Sequence, residues 1–338
     1  MPTAENAILY YEAGQTAVAL AALTNSGDET IYTSGADLWS NRSGYAPAVH
    51  PQGLASGCAI TPAASGTNNY IDISAGTAYI DGVLTAIPAD TDVEVTRATS
   101  TDTHIINSIT IANDGSIAVE AGTDHASAFS TTRDADGGPP LITVDSIEIG
   151  WVMLTSFTAA AITAAEIFQV PGTHVERSDY PTWTTHYIRT ASGALGYAGV
   201  TFASALPTIH TGPLPKEVWA SYSTPAFAEV PNATDFVAAE TSYSVSSTQV
   251  YGGTIGATST SLGQGSFTAH MSTGVYEGFE QLKGQKLWFR HHPNRLNSVP
   301  CTYTNGFLGV ARKWPAGDSI TAACTISAES ETVDVASE

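Results

Sequence analysis

The chain of 338 residues carries 32 acidic and 12 basic residues, a formal charge of −20, although only 13% of its residues are charged. So acidic a chain repels phosphates, which argues against a nucleic-acid-binding protein. In place of charged residues the chain has 44 threonines and 32 serines. Its 43% hydrophobic residues supply enough apolar surface for a buried core. Cys58, Cys301 and Cys324 form no CxxC pair, so neither a disulfide scaffold nor a zinc ribbon is predicted.

The N-terminal region contains no predicted membrane segment. Its longest apolar run, residues 17–23, is far too short to cross a bilayer. The first twelve residues include two glutamates and no basic residue, unlike a signal peptide, so we expect synthesis in the cytoplasm and no membrane partner. The Ala-rich residues 15–23 predict a short helix.

Short alternating segments follow and predict antiparallel strands. Residues 70–84 alternate apolar and small polar side chains, with a hairpin turn at Asp81-Gly82. Further strands at 93–96, 104–111 and 116–120 predict one continuous meander. We therefore expect an all-β fold of β-sandwich or barrel modules with one or two short helices.

The middle of the chain suggests a division into two domains. Residues 147–154 predict a buried strand, and the Ala-rich residues 156–167 a second short helix. A Pro-Gly pair then places a boundary near residues 171–180. The interpretation is an acidic N-terminal β domain, residues 1–175, and an aromatic-rich C-terminal β domain, residues 176–338.

The C-terminal half continues the β pattern, with strands predicted at residues 216–222, 242–246 and 285–290. Residues 244–275 are mostly Ser, Thr and Gly with scattered apolar side chains, which specifies strand register weakly. We expect this segment to order only on assembly.

Charge is distributed unevenly. Residues 1–150 hold 18 acids against three arginines and no lysine, whereas residues 281–317 hold no acid and six basic residues. Three interpretations fit this basic segment: a solvated face, a nucleic-acid patch, or a contact with the acidic half of a neighbouring copy. The net negative charge of the chain favours the contact with a neighbouring copy. The predicted inter-subunit contact residues are Lys283, Lys286, Arg290, Arg295, Arg312 and Lys313.

Motifs for catalysis are missing from the sequence, including nucleophile elbows, phosphate-binding loops and zinc-protease signatures. Asp124-His125 sets a carboxylate beside an imidazole, but such adjacency is common in turns. His291-His292 would point to opposite faces of a strand and so cannot both bind one ion. Asp90 and Asp92 lack the remaining ligands of a calcium loop. We predict no enzyme, catalytic residue, cofactor or metal.

The scarcity of lysine has a consequence for a β protein. Monomeric β proteins protect open sheet edges with Lys, Pro or bulges, and this chain has only four lysines. Copies of the same chain arranged in a ring or tube would cover such edges. Self-assembly is therefore predicted.

Five stretches resemble the major tail protein of Mu-like, long non-contractile-tailed bacteriophages. They are TNSGDETIYTSGADLWS (24–40), AITPAASGTN (59–68), GGPPLITVDSIEIG (137–150), AAEIFQVPGTH (164–174) and VTFASALPTIHTG (200–212). The resemblance covers about residues 24–230, and it implies a structural virion protein with no transferable site residue.

The resemblance also implies an assembly. β-Sandwich subunits would form trimeric or hexameric rings that stack into a tail tube, contact other tail proteins, and let genomic DNA pass through an acidic channel without specific binding. The alternatives are a capsid-decorating or baseplate protein and, from another class, a carbohydrate-binding β module, which the aromatic residues Trp183 and Tyr187 suggest.

Overall fold

The all-β fold class is confirmed. The computed structural model describes residues 6–35, 38–169, 182–189, 195–206, 208–211, 214–215, 217–251, 253–275, 277–297, 300–330 and 332–335. Within these ranges the chain is mostly strand, with three-residue 3-10 helices at Ala164–Glu166 and Glu280–Leu282. None of the helices in the described ranges is long and apolar enough to cross a membrane.

The largest sheet joins the two ends of the chain. Its strands are antiparallel, and β1 lies in its interior, hydrogen-bonded to β19 on one side and β24 on the other. β27 pairs with β25 off the main path. In spatial order the strands are β20 (Ala233–Val237), β23 (Gly265–His270), β26 (Thr321–Ala328), β25 (Cys301–Lys313), β24 (Lys286–His292), β1 (Ile8–Ala22), β19 (Val218–Glu229) and β4 (Ala48–Pro51), with β27 at Val333–Val335.

A second sheet packs on the first and completes a sandwich. Its order is β15, β16, β3 and β2. Tyr32, Trp39 and Phe202 are buried between the two sheets together with Val218 and Tyr222 of the large sheet. The strands are β2 (Thr24–Asn25), β3 (Ile31–Thr33), β15 (Trp183–Arg189) and β16 (Leu195–Phe202). We call the two sheets with their connections, residues 6–51 and 182–335, the body.

Between β4 and β15 the chain forms three small sheets around a separate aliphatic core, and we call residues 53–169 the inserted module. The predicted hairpin at Asp81-Gly82, the Asn113–Gly115 turn and the buried strand at 147–154 are confirmed. Its strands are β5 (Gly53–Gly57), β6 (Ile60–Pro62), β7 (Tyr70–Ile73), β8 (Gly76–Ile80), β9 (Val83–Ile87), β10 (Asp90–Glu94), β11 (Ile105–Ala112), β12 (Ile117–Ala121), β13 (Ser146–Leu154) and β14 (Ile167–Gln169).

Module and body touch at several points. Gln52, which connects the two, accepts at Oε1 from the backbone N–H of Asp81 (3.0 Å) and donates through Nε2 to Glu217 Oε2 (2.6 Å). The backbone N–H of Ile142 donates to the Ile209 carbonyl (3.0 Å). Gly82 lies so close to Trp219 that a Cβ there would stand 2.4 Å from the indole ring. Ile209 lies in β17 (Thr208–His210), which pairs with β18 (Leu214–Pro215).

Two helix predictions are wrong. Residues 15–23 lie almost wholly in β1, where Ala17 pairs with Ser223 and Ala22 with Trp219, so sheet pairing overrides the helix propensity of alanine. Residues 156–167 contain only the short 3-10 helix, whose Thr163 and Glu166 form a capping box.

The predicted single meander is also wrong. β10 pairs with β7, whereas β11 pairs with β12 and β13 in another sheet. The short strand at residues 93–96 begins earlier, at Asp90, and its register shifts between Asp90 and Val93. Sequence neighbours thus belong to two sheets, which face each other across the module core.

The domain division stays a prediction, because the boundary near residues 171–180 lies outside the described residues. β1 and β4 share the large sheet with strands of residues 218–335, so hydrogen bonds connect the predicted halves 1–175 and 176–338.

Candidate assembly surface

A long hairpin leaves the body as a separate two-stranded sheet. β21 (Thr241–Val250) pairs along its whole length with β22 (Gly253–Leu262), and no other described strand pairs with either. Ten residues per strand extend about 33 Å. Ser242 Oγ lies 2.8 Å from Ser261 Oγ and Ser244 Oγ lies 2.6 Å from Ser259 Oγ, so hydroxyl pairs connect the strands.

The hairpin has little means to stabilise itself. Its described side chains are almost all exposed, including Leu262 near its base and Tyr251 at its tip. An isolated two-stranded hairpin is only marginally stable in water because it buries little apolar surface. Most of the segment predicted to order on assembly lies in this hairpin, which pairs with no other described strand. For residues 265–270 of that segment the prediction is wrong, because they form β23, which is paired on both sides within the large sheet.

Two edge strands expose apolar side chains to solvent. β9 is an edge strand of its small sheet, and its Val83 and Leu84 are 62% and 54% exposed. β20 is an edge of the large sheet, with Val237 at 54%. β9 contains no charged residue, so its edge lacks the usual protection against pairing with another chain. β20 is better protected, because it carries the exposed Asp235 and its register shifts between Thr234 and Val237.

A third edge is protected, by acids instead of lysines. β10 exposes Asp90, Asp92 and Glu94 at the edge of its sheet. Asp72 on the neighbouring strand accepts hydrogen bonds from the backbone N–H groups of Ala64 (2.8 Å) and Asp92 (3.0 Å). These two bonds lower the pKa of the Asp72 carboxyl below its ordinary value. The edge is therefore a fixed, negatively charged surface.

The six predicted cationic residues divide into two groups, of which the first is held inside the subunit. Lys286 forms an ion pair with Glu329. Arg312 bonds to Glu280 Oε1 (3.1 Å) and lies 5.1 Å from the Trp314 ring. The carboxylates that neutralise these cations come from outside the acid-free segment or from its immediate border.

Arg290 is also engaged internally. Its guanidinium lies 4.9 Å from the centre of the Tyr10 ring and 4.6 Å from that of Phe227, a stacked arrangement in which ring faces attract the cation. Arg290 thus joins β24 to β1 and β19, and reversing its charge would disturb the body.

Lys283, Arg295 and Lys313 form the second group. All three are exposed and have no ion pair within the described residues. Lys283 follows a 3-10 helix, Arg295 follows β24, and Lys313 ends β25. These three cations are available to a neighbouring molecule, whereas the role of all six in assembly stays a prediction.

The carboxylate-imidazole pair Asp124-His125 serves local turns. Asp124 Oδ2 accepts from the backbone N–H of Thr99 (2.9 Å). His125 Nδ1 accepts from the backbone N–H groups of Ser127 (3.3 Å) and Ala128 (3.2 Å). The carboxylate and the imidazole are thus bonded to different backbone segments.

The two adjacent histidines face different surroundings. His291 stacks on Phe236, with ring centres 4.7 Å apart, and His292 meets the Tyr10 ring edge-on at 5.6 Å. Burial lowers the pKa of both imidazoles, so both are neutral at pH 7. The described residues contain no cluster of three or more His, Cys, Asp or Glu side chains able to hold a metal.

The three thiols are buried and separate from one another. Burial raises the pKa of Cys58 to about 11 and that of Cys324 to about 12, so these thiols stay protonated at neutral pH and are poor nucleophiles.

Sequence reasoning did not identify the apolar edges at Val83, Leu84 and Val237. The valine and leucine beside the Asp81-Gly82 turn could have predicted the first of these edges, because side chains next to a tight turn lie far from the core. No protein-family model matches the chain. No curated protein matches it either.

Proposed function

We propose that the protein is a structural virion protein, the major tail-tube subunit of a long non-contractile-tailed bacteriophage, and not an enzyme. Copies form trimeric or hexameric rings that stack into a tube around the DNA. The observation that carries this proposal is the β21–β22 hairpin, whose exposed strands have no sheet to join within the described chain. A neighbouring copy that packs against it supplies the missing apolar and hydrogen-bonding contacts.

The apolar edges support the same proposal. Val83 and Leu84 on β9 and Val237 on β20 stay in water in a monomer. Burying three such side chains favours association by the hydrophobic effect, and the uncharged edge of β9 lets a strand of another copy pair with it.

Charge complementarity supports association between copies. Lys283, Arg295 and Lys313 are free cations on the body, and Asp90 and Asp92 form part of an acidic edge on the module. One subunit thus presents both signs on different regions, as head-to-tail contacts in a ring or stack require. The remaining excess of acid keeps DNA from adhering to the channel wall during transit.

Electron microscopy of the purified full chain tests the proposal. We expect long hollow tubes in negative stain. A variant with Asn-Gly in place of residues 243–260 keeps the Ser242–Ser261 pair and the two-residue turn geometry, and it should fold but remain as short oligomers. The control keeps the hairpin with Ser244→Thr and Ser259→Thr and should form tubes. A chain that stays monomeric at high concentration, or tubes that survive the deletion, would contradict the proposal.

A charge variant tests the ionic contact. Lys283→Gln, Arg295→Gln and Lys313→Gln together should slow polymerisation at low salt and remove much of its salt dependence. Lys286 and Arg290 stay unchanged because both have internal partners. The control, Thr67→Glu with Asn68→Asp and Thr131→Glu, changes the net charge equally at exposed module positions. Equal effects of the two variants would exclude a specific contact.

Particles that only decorate a capsid lattice or close as a single ring would favour the capsid-decorating or baseplate alternatives.

A further inference from the structure

The β21–β22 hairpin leaves the body at one end of a strand pair, β23 and β26. β22 ends at Leu262, and β23 begins at Gly265, opposite Ile326 near the end of β26. β23 ends at His270, opposite Thr321 at the start of β26. The six residues of β23 thus separate the hairpin from the opposite end of this strand pair by about 20 Å.

That opposite end carries two exposed apolar side chains. Trp314 and Val275 are 53% and 52% exposed. Their loops touch, because a Cβ added at Gly274 would stand 2.7 Å from Trp314 Nε1 and 2.9 Å from Ile320 Cγ2. The backbone N–H of Met271, the residue after β23, donates to the Ile320 carbonyl (2.9 Å). We call Trp314, Val275 and Ile320 the distal cluster.

The distal cluster is held in place within the subunit. Arg312 Nη1 donates to the Gly274 carbonyl (3.1 Å), and the guanidinium lies 5.1 Å from the centre of the Trp314 ring. The same nitrogen bonds to Glu280 Oε1 (3.1 Å), which neutralises the arginine. One side chain thus fixes both loops before any partner binds. A preorganised surface loses little conformational entropy on docking.

The charges around the distal cluster nearly cancel. The charged residues in and beside its loops are two basic and three acidic ones: Arg312, Lys313, Glu277, Glu280 and Asp318. The surface therefore offers no excess positive charge to the acidic edge of the module. Lys313, next to Arg312 in β25, points to the opposite face of the strand and stays available for the ionic contact proposed above. Residues 241–262 of the hairpin contain no charged side chain, so docking them here buries no carboxylate without a counter-charge.

We propose that the distal cluster binds the tip of the β21–β22 hairpin from a second copy, with Tyr251 packed against Trp314. Tyr251 is fully exposed at the hairpin tip. Tyr and Trp are side chains that often anchor protein interfaces, and paired aromatic rings attract each other beyond the effect of their buried area. Hairpin and cluster lie at opposite ends of β23, so the contact is head-to-tail and repeats from copy to copy. This inference rests on the proposed function and names the surface that the hairpin packs against.

Cysteine crosslinking of the purified full chain tests the contact directly. A mixture of Tyr251→Cys and Val275→Cys chains under mild oxidation should give disulfide-linked dimers on a non-reducing gel, and the three native thiols are buried and do not compete. In the control mixture Val144→Cys, at a 40% exposed module position, takes the place of Val275→Cys. Linkage no greater than in this control would overturn the inference. So would linkage of Val275→Cys chains to one another, since the cluster would then pair with its own copy.

Tube assembly gives a second test. Trp314→Ser together with Val275→Ser should raise the protein concentration needed for tube formation at least about tenfold, as loss of an interface anchor does. The control, Phe157→Ser, removes a 49% exposed aromatic ring from the module and should change this concentration little. Thermal melting confirms that each variant folds. Tubes of the double variant at the unchanged concentration would overturn this inference and leave the proposed function intact. A chain that forms neither tubes nor the Tyr251→Cys–Val275→Cys disulfide would overturn both.

Discussion

The inserted module and the body are both β structures, but they are built from different side chains and different connections. The module core is aliphatic, with Ile71, Ile109 and Val152 among its buried residues. The body buries large rings, including Phe267 and Phe289. Module strands pair mostly with near neighbours in sequence, whereas β1 of the body pairs with β19 and β24. The module is therefore a local structure, and the body forms only when both ends of the chain meet.

The largest expected effect comes from the body core. Phe289→Ala removes a fully buried ring that packs on Phe267 and should cost about 3–5 kcal/mol of the free energy of unfolding. Urea denaturation followed by tryptophan fluorescence measures it, since five of the six tryptophans lie in the body. Amide exchange in the module should change little. Equal loss of protection in both regions would show that they unfold as one unit.

The corresponding change in the module is Ile109→Ala, which should cost about 2–5 kcal/mol. Here the loss of amide protection should be concentrated in residues 53–169. Val83→Ala, at an exposed module position, serves as control and should alter stability by about 0.5 kcal/mol or less. Loss of protection in β1 or β24 as large as in the module would contradict the distinction between the regions.

Gly82→Ala tests the junction. Gly82 has a φ of +73°, and an added Cβ would meet the Trp219 ring. Strain and overlap together should cost about 1–3 kcal/mol. The Trp219 amide region should lose exchange protection with the β8–β9 turn. Gly66→Ala, with a φ of +68° and open space around it, carries the backbone strain without the overlap. Identical costs would show that the ring contact is unimportant.

The smallest effect concerns pH at the acidic edge of the module. The pKa of Asp72 is lower in the folded chain than its ordinary value, so its contribution is complete above that value and is lost as pH falls through the folded pKa. Protection of the Asp92 amide should therefore fall on acidification. Asp72→Asn should reduce protection at neutral pH and remove this pH response. Glu94→Gln, on the same strand as Asp92, should leave the pH response unchanged. An unaltered pH response in Asp72→Asn would refute the assignment.

The sequence predicted what depends on nearby residues. The turns at Asp81-Gly82 and Asn113–Gly115 are encoded by residues that favour those conformations, and both are present. It did not predict β1, because alanine at positions 17 and 22 favours helix until β19, some 200 residues away, supplies a pairing partner. Long-range pairing of this kind leaves no local signal.

The candidate assembly surface could be predicted only in part from the sequence. The basic segment was evident from composition, but Glu280 and Glu329, which neutralise two of its members, could be identified only from the fold. Trp183 and Tyr187 gave the carbohydrate alternative in the sequence, but both are partly buried against the aromatic core of the sandwich, which could be identified only from the fold.

The interior position of β1 determines the order in which a ribosome can complete this protein. β1 emerges first, yet its neighbours begin at Val218 and Lys286. At about 5–20 residues per second, the growing chain waits on the order of 10–40 seconds before β19 exists. During that interval the module can fold on the nascent chain while Leu9 and Tyr11 remain uncovered. During translation this strand therefore stays without its pairing partners until the last third of the message is read, and chaperones or fast elongation would protect it in that interval.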